Sequence, residues 1–151
     1  MSWELVMSDY QHVLCAVDLG DENLTVASRA VALARQNNAN LTLLHVVEYI
    51  PIDLANELVL PQQQDIEDQL VKRSRKALTK LASRLEFDQI SENVASGSTK
   101  AEIIEFSKTN SIDLIVIGQH GRHGFSRLLG STANAVLHNA PCDVLAVRIG
   151  S

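Results

Sequence analysis

The chain has 151 residues, of which 46% are hydrophobic and 21% charged, and its formal net charge is −5. That composition suits one domain able to bury its own core and is too apolar for a disordered chain. An acidic balance gives no electrostatic ground for binding nucleic acid, and no window approaches 18 consecutive apolar residues, so neither nucleic acid nor a membrane is an expected partner.

The start, MSWELVMSDYQ, lacks the basic residues, apolar stretch and cleavage site of a signal peptide. Met7 would itself make a natural beginning, so residues 1–9 are read as an N-terminal extension or cloning remnant and residues 10–151 as the domain. Cys15 and Cys142 lie far apart, each beside a strand-like run, and match neither a disulfide framework nor a zinc pattern. Both are expected as buried reduced thiols, and a cytoplasmic location follows.

HVLCAVD (12–18) is a short apolar run and reads as a buried strand. LGDEN turns, with Asp21 as N-cap, and Val26, Ala27, Ala30, Val31 and Ala34 then recur at helical spacing. QNNAN ends that helix with residues that tolerate a left-handed backbone. LTLLHVV (41–47) is the second strand. An irregular stretch bracketed by Pro51 and Pro61 leads to a long helix from about Gln62 to Leu85, with Ile66, Leu70, Ala77, Leu81 and Leu85 as its apolar stripe. KRSRK (72–76) covers more than a turn of it, so its charges fan out over a solvated face. QISENVAS (89–96) is the third strand. Thr99 and Glu102 have the spacing of a capping box ahead of a helix anchored by Ile103, Ile104 and Phe106. IDLIVIG (112–118) is the fourth strand, Ser131 to Asn139 a helix stopped by Pro141, and DVLAVRI (143–149) the fifth strand.

Apolar strands alternating with helices predict an α/β fold: one doubly wound domain with a five-stranded parallel sheet and helices on both faces. In such sheets ligands bind beyond the carboxyl ends of the strands. Asp18 and Leu19, Val46 and Val47, and Gly118 to Gly121 should converge there.

Between the fourth strand and the last helix lies GQHGRHGFSRLLGST (118–132), which holds four of the seven glycines. Strand, glycine-rich loop and helix start are the parts of a phosphate cradle: glycine allows close backbone approach, and the helix start offers unpaired N–H groups and the positive end of its dipole. Ser131 and Thr132 add hydroxyls, and Arg122, Arg127 and His123 add charge. The string also reads as a tight strand-to-helix connection that holds no ligand, and Asp18 also reads as a plain cap of the turn after it. The loop lacks the Gly-Lys-Ser/Thr ending of a Walker motif, and only Gly20 stands where a dinucleotide fingerprint would begin. His120 and His123 have no third ligand at metal spacing. His12, His45 and His138 read as packing or surface residues. No nucleophile elbow appears, so the chain is not expected to be an enzyme.

The chain resembles a universal stress protein over nearly all of Tyr10 to Ile149. The resemblance is carried by HVLCAVDLGDE, LTLLHVVE and DLIVIGQHGRHGFSRLLGSTANAVLHNAPCDVLAVR. It implies a sheet in the order 3-2-1-4-5 and a stress-response role. It further implies a homodimer that pairs through the last strand, Val144 to Ile149. Nucleotide binders of the family carry Gly-x-x-Gly, nine residues, then Gly-Ser or Gly-Thr. Gly118, Gly121 and Gly130-Ser131 match, but only eight residues, Arg122 to Leu129, lie between. That shorter spacer resembles the branch of the family's founding member, in which ATP binding is not general, although that branch often loses the glycines kept here.

Carried over position by position, the resemblance implies a dimeric switch that binds an adenine nucleotide, ATP or AMP, with Mg²⁺ only alongside ATP. Asp18 and Val46 would meet the base and ribose. Gly118, His120, Gly121, Gly130, Ser131 and Thr132 would line the phosphates, with Ile117 counted in the same set. Slow self-phosphorylation at Ser131 or slow ATP hydrolysis is the weak enzymatic variant. The alternative is a dimeric stress-adaptor module without a ligand.

Overall fold

The computed structural model describes residues 10–20, 22–48, 61–120 and 130–149, with the backbone only for 61–64 and 120. Five parallel strands form one sheet in the order β3-β2-β1-β4-β5. They are β1 (His12–Ala16), β2 (Asn40–Val47), β3 (Ile90–Ser96), β4 (Leu114–His120) and β5 (Asp143–Ile149). Four helices lie between them: α1 (Asn23–Asn37), α2 (Pro61–Leu85), α3 (Thr99–Thr109) and α4 (Ser131–Asn139). The expected fold class and strand order are both observed.

Alternation along the strands divides the core into two layers. Val13, Cys15, Leu41, Leu43, Leu114 and Val116 face α1 and α2, where Val26, Ala30, Leu78 and Leu85 meet them. Leu14, Leu44, Ile115 and Ile117 face α3 and α4, against Ile103, Ala133 and Val136. The central strands are buried on both faces, which is why they read as continuous apolar runs.

Several expected details shift. Asp21 lies outside the described residues, and the N-cap of α1 is Glu22, without a side-chain cap. The α1 C-cap behaves as expected: Asn38 is left-handed (φ 53°) and its N–H reaches the carbonyls of Ala34 and Arg35. The capping box at Thr99 is not formed. Ser98 is the N-cap, so Glu102 stands one position beyond N3 and no side chain closes the box. Of the expected α2 stripe, Leu81 and Leu85 are buried and Leu70 and Ala77 half-buried; Leu78 and Ala82 join the buried side, while Ile66 is 45% exposed. Twenty-five residues make a helix about 37 Å long, whereas eight residues of β2 span about 26 Å, so the first turns overhang the sheet. Lys72, Arg73, Arg75 and Lys76 are exposed, as a solvated face requires. Cys15 is fully buried, and burial pushes its thiol up to about 12. Cys142 is only half-buried, against expectation, because it sits in the turn that leads into β5.

The fourth strand also differs. It begins at Leu114 and continues through Gly118 to His120, paired with Val147, Arg148 and Ile149. The Asp113 carboxylate accepts the N–H groups of Gln11 (2.8 Å) and His12 (3.1 Å), which fixes the turn before the strand. Gly118 therefore stands inside the sheet and not in the loop after it. Among the described residues no helix is long and apolar enough to cross a membrane.

Candidate functional site

At the carboxyl end of β1 the chain makes a compact turn. Leu19 takes a left-handed φ of 63°. Asp18 Oδ1 accepts the N–H of Gly20 at 2.9 Å, a local turn that aspartate forms readily. Asn23, at the first position of α1 and only 7% exposed, reaches back with both ends of its amide. Its Oδ1 accepts the Asp18 N–H (3.1 Å) and its Nδ2 donates to the Gly20 carbonyl (3.0 Å). From β2, His45 Nδ1 lies 2.8 Å from the Val17 carbonyl. A carbonyl only accepts, so the proton sits on Nδ1.

The glycines of the loop have separate explanations. A Cβ on Gly118 would overlap Ile149 Cδ1 and come within 3.0 Å of Val26 Cγ2. The missing side chain at this position is thus accounted for by core packing between β4, β5 and α1. Gly130 is the opposite case. It has φ −58° and ψ 154°, which any residue adopts, and a Cβ there would meet nothing within 4 Å among the described residues.

Two helices direct their N-termini toward the same place, and they differ in electrostatics. At α3 the first amide is already taken: Thr99 N–H donates to Glu48 Oε1 at 2.8 Å. The Thr99 hydroxyl, then this N–H, hold the Glu48 carboxyl below its usual value of 4.5, with Lys100 adding a smaller pull. The carboxylate completes the helix start and sits at the positive end of its dipole. At α4 the first internal bond is Asn134 N–H to the Gly130 carbonyl, and no side chain among the described residues caps the helix. The amides of Ser131, Thr132 and Ala133 have no acceptor among the described residues.

Because the folded Glu48 value is lowered, its contribution is present above about 4.5 and fades as pH falls through the folded value. Glu48→Gln should cost less than about 1 kcal/mol at pH 7, since the pair is exposed. Denaturant unfolding of the two proteins should converge once the pH lies below the folded Glu48 value. A gap that stays constant with pH would reject the charge-dependent cap.

The described residues enclose a cleft of about 330 Å³ at the carboxyl ends of β1, β2 and β4. That is within the range of small-molecule sites. The structure brings Asp18, Val46, Ile117, Gly118, Gly130, Ser131 and Thr132 together around it. Gly121, Arg122, His123 and Arg127 lie outside the described residues, and of His120 only the backbone at the end of β4 is described. Asn23, His45 and Thr99 also line the cleft and were not singled out by sequence reasoning as site residues. For His45, its place one residue before Val46 was the available signal. His12, expected as a packing or surface residue, bonds the Thr42 hydroxyl at 2.7 Å on β2. No cluster of three or more His, Cys, Asp or Glu suited to a metal occurs among the described residues.

Residues 9–148 match the universal stress protein family. The chain belongs to that family. Universal stress protein A homolog 1 of Coxiella burnetii is 42% identical to it over 138 residues, covering 91% of this chain and 96% of that one. The structure of universal stress protein UspA from Lactobacillus plantarum superposes with a TM-score of 0.70 at 31% identity, over 92% of this chain and 98% of the other. A universal stress protein crystallised in complex with cAMP superposes with a TM-score of 0.65 at 25% identity, over 92% and 97%. The family match covers β1 to β4 and all of β5 but its last residue, Ile149.

Proposed function

We propose that this universal stress protein is a stress-response switch that binds an adenine nucleotide, ATP or AMP, in the cleft between β1, β2 and α4. One observation carries the reading. The N-terminus of α4 opens onto the cleft with three amides that have no acceptor among the described residues, beside a glycine whose side-chain position meets none of those residues within 4 Å. The α3 terminus beside it is already neutralised by Glu48. An anion is therefore directed to α4. Val46, Ile117 and Ile103 supply an apolar wall for a base, with Asp18 at its edge. The family relative in complex with cAMP supports a nucleotide as the ligand class. Mg²⁺ enters only with ATP, on the phosphates. The role is binding and not catalysis; phosphate transfer to Ser131 is the enzymatic variant.

The working form is a cytoplasmic homodimer. β5 is a sheet edge, with Val144, Leu145 and Ala146 only half-buried. An edge strand of that kind presents an unpaired ladder and apolar side chains to a second copy.

A second reading, a ligand-free dimeric adaptor, is favoured by Gly118, whose missing side chain the core itself uses. Thermal unfolding with AMP and with Mg²⁺–ATP separates the two. Ligand at 100 times Kd should add about 2.7 kcal/mol of stability. Flat titrations at millimolar nucleotide would overturn the switch and leave the adaptor.

A further inference from the structure

We propose that Asn23 and His45 are positioning residues that clamp the Val17–Asp18 peptide group and so set the end of the cleft that reads the base and ribose. The proposal rests on the nucleotide reading of the cleft. Val17 C=O and Asp18 N–H belong to one peptide unit. His45 Nδ1–H donates to the first (2.8 Å) and Asn23 Oδ1 accepts from the second (3.1 Å). Both polar atoms of that unit are thus held by side chains, one from β2 and one from α1. It lies just beyond β1, where regular strand ends at Ala16 although Val17 N–H still reaches the Leu44 carbonyl (2.9 Å).

The clamp sits where a wandering backbone would matter. The next residue, Leu19, is left-handed, a conformation unfavourable for its side chain that surrounding bonds must hold. Asn23 Nδ2 fixes the far side of the same turn through the Gly20 carbonyl (3.0 Å). Val17, Asp18, Asn23 and His45 all line the cleft. Asn23 is 7% exposed, and both ends of its amide are used within the turn, so its task is to place Asp18. His45 spends one nitrogen on the clamp, and Nε2 has no partner among the described residues. The two nitrogens can therefore be tested separately.

AMP and inorganic tripolyphosphate are titrated against wild type, Asn23→Ala, His45→Gln and His45→Asn. Asparagine can put an amide donor near the Nδ1 position; glutamine reaches toward Nε2. Asn23→Ala and His45→Gln should each weaken AMP about tenfold, the scale of one buried hydrogen bond. Tripolyphosphate affinity should stay within about twofold, because the α4 terminus is untouched, and this also reports an intact fold. His45→Asn should bind AMP close to wild type. Exchange of the Asp18 amide should quicken in Asn23→Ala. Equal loss in both His45 variants, unchanged AMP affinity in Asn23→Ala, or parallel loss of AMP and tripolyphosphate would each overturn the clamp. Wild type that takes up Mg²⁺–ATP alone is tested with it in place of AMP; wild type that takes up neither would overturn the nucleotide reading itself and this proposal with it.

Discussion

Gly118→Ala is expected to lower the unfolding free energy by about 1–3 kcal/mol, the cost of forcing extra volume into a packed core. The new methyl group would collide with Ile149 Cδ1 and crowd Val26 Cγ2. β4 is a central strand paired on both sides with β1 and β5, so its backbone has little room to retreat. Replacing glycine reduces unfolded-chain entropy and returns only about 0.4–1 kcal/mol. The mechanism has a built-in control. Ile149→Val deletes the Cδ1 atom and should itself cost about 0.5–1.5 kcal/mol. In that background Gly118→Ala should be milder, with a coupling of at least about 0.5 kcal/mol. Urea unfolding of the two single variants and the double variant measures it. Strict additivity, or a Gly118→Ala protein as stable as wild type, would mean that the glycine serves something other than packing.

Gly130→Asp should move stability and ligand affinity in opposite directions. Aspartate at this N-cap would place a carboxylate against the open amides of α4, as Glu48 does at α3. No described residue obstructs its Cβ within 4 Å, and φ of −58° suits it. A gain of about 0.3–1 kcal/mol is expected from the cap and the dipole. The same carboxylate would take the donors and repel the anion. AMP affinity should fall roughly 10- to 100-fold, the loss of a charge-assisted contact. Thermal unfolding without ligand and calorimetry with AMP read the two effects independently. If AMP binds Gly130→Asp as it binds wild type, the phosphate is not held at α4.

Together the two glycines show how far the loop could be read from residue identity. In the linear chain Gly118 and Gly130 look like equal members of one phosphate motif. In the fold, one is accounted for by core packing and the other has no described residue within 4 Å of its side-chain position. No pattern within the loop distinguishes them, because the atoms that decide the matter, Ile149 Cδ1 and Val26 Cγ2, belong to distant segments. The same is true of Glu48. Thr99 and Glu102 have the spacing of a capping box, yet a carboxylate 51 residues upstream of Thr99 does the capping. It can do so because β2 lies between β1 and β3 and its end reaches the start of α3.

What was written legibly in the chain is everything that depends on periodicity and on local backbone preference. Apolar runs of strand length alternating with amphipathic helices leave few topologies once crossovers must be right-handed, and left-handed Asn38 closes α1 as its composition suggests. The strand ends that carry Asp18, Val46 and Ile117 to one edge of the sheet follow from that topology. Folding added the long-range choices: which glycine the core occupies, which helix start a distant carboxylate caps, and which side chains hold the Val17–Asp18 peptide. Each is settled by contacts between atoms far apart in sequence, where side-chain volume and charge act only after the strands have come into register.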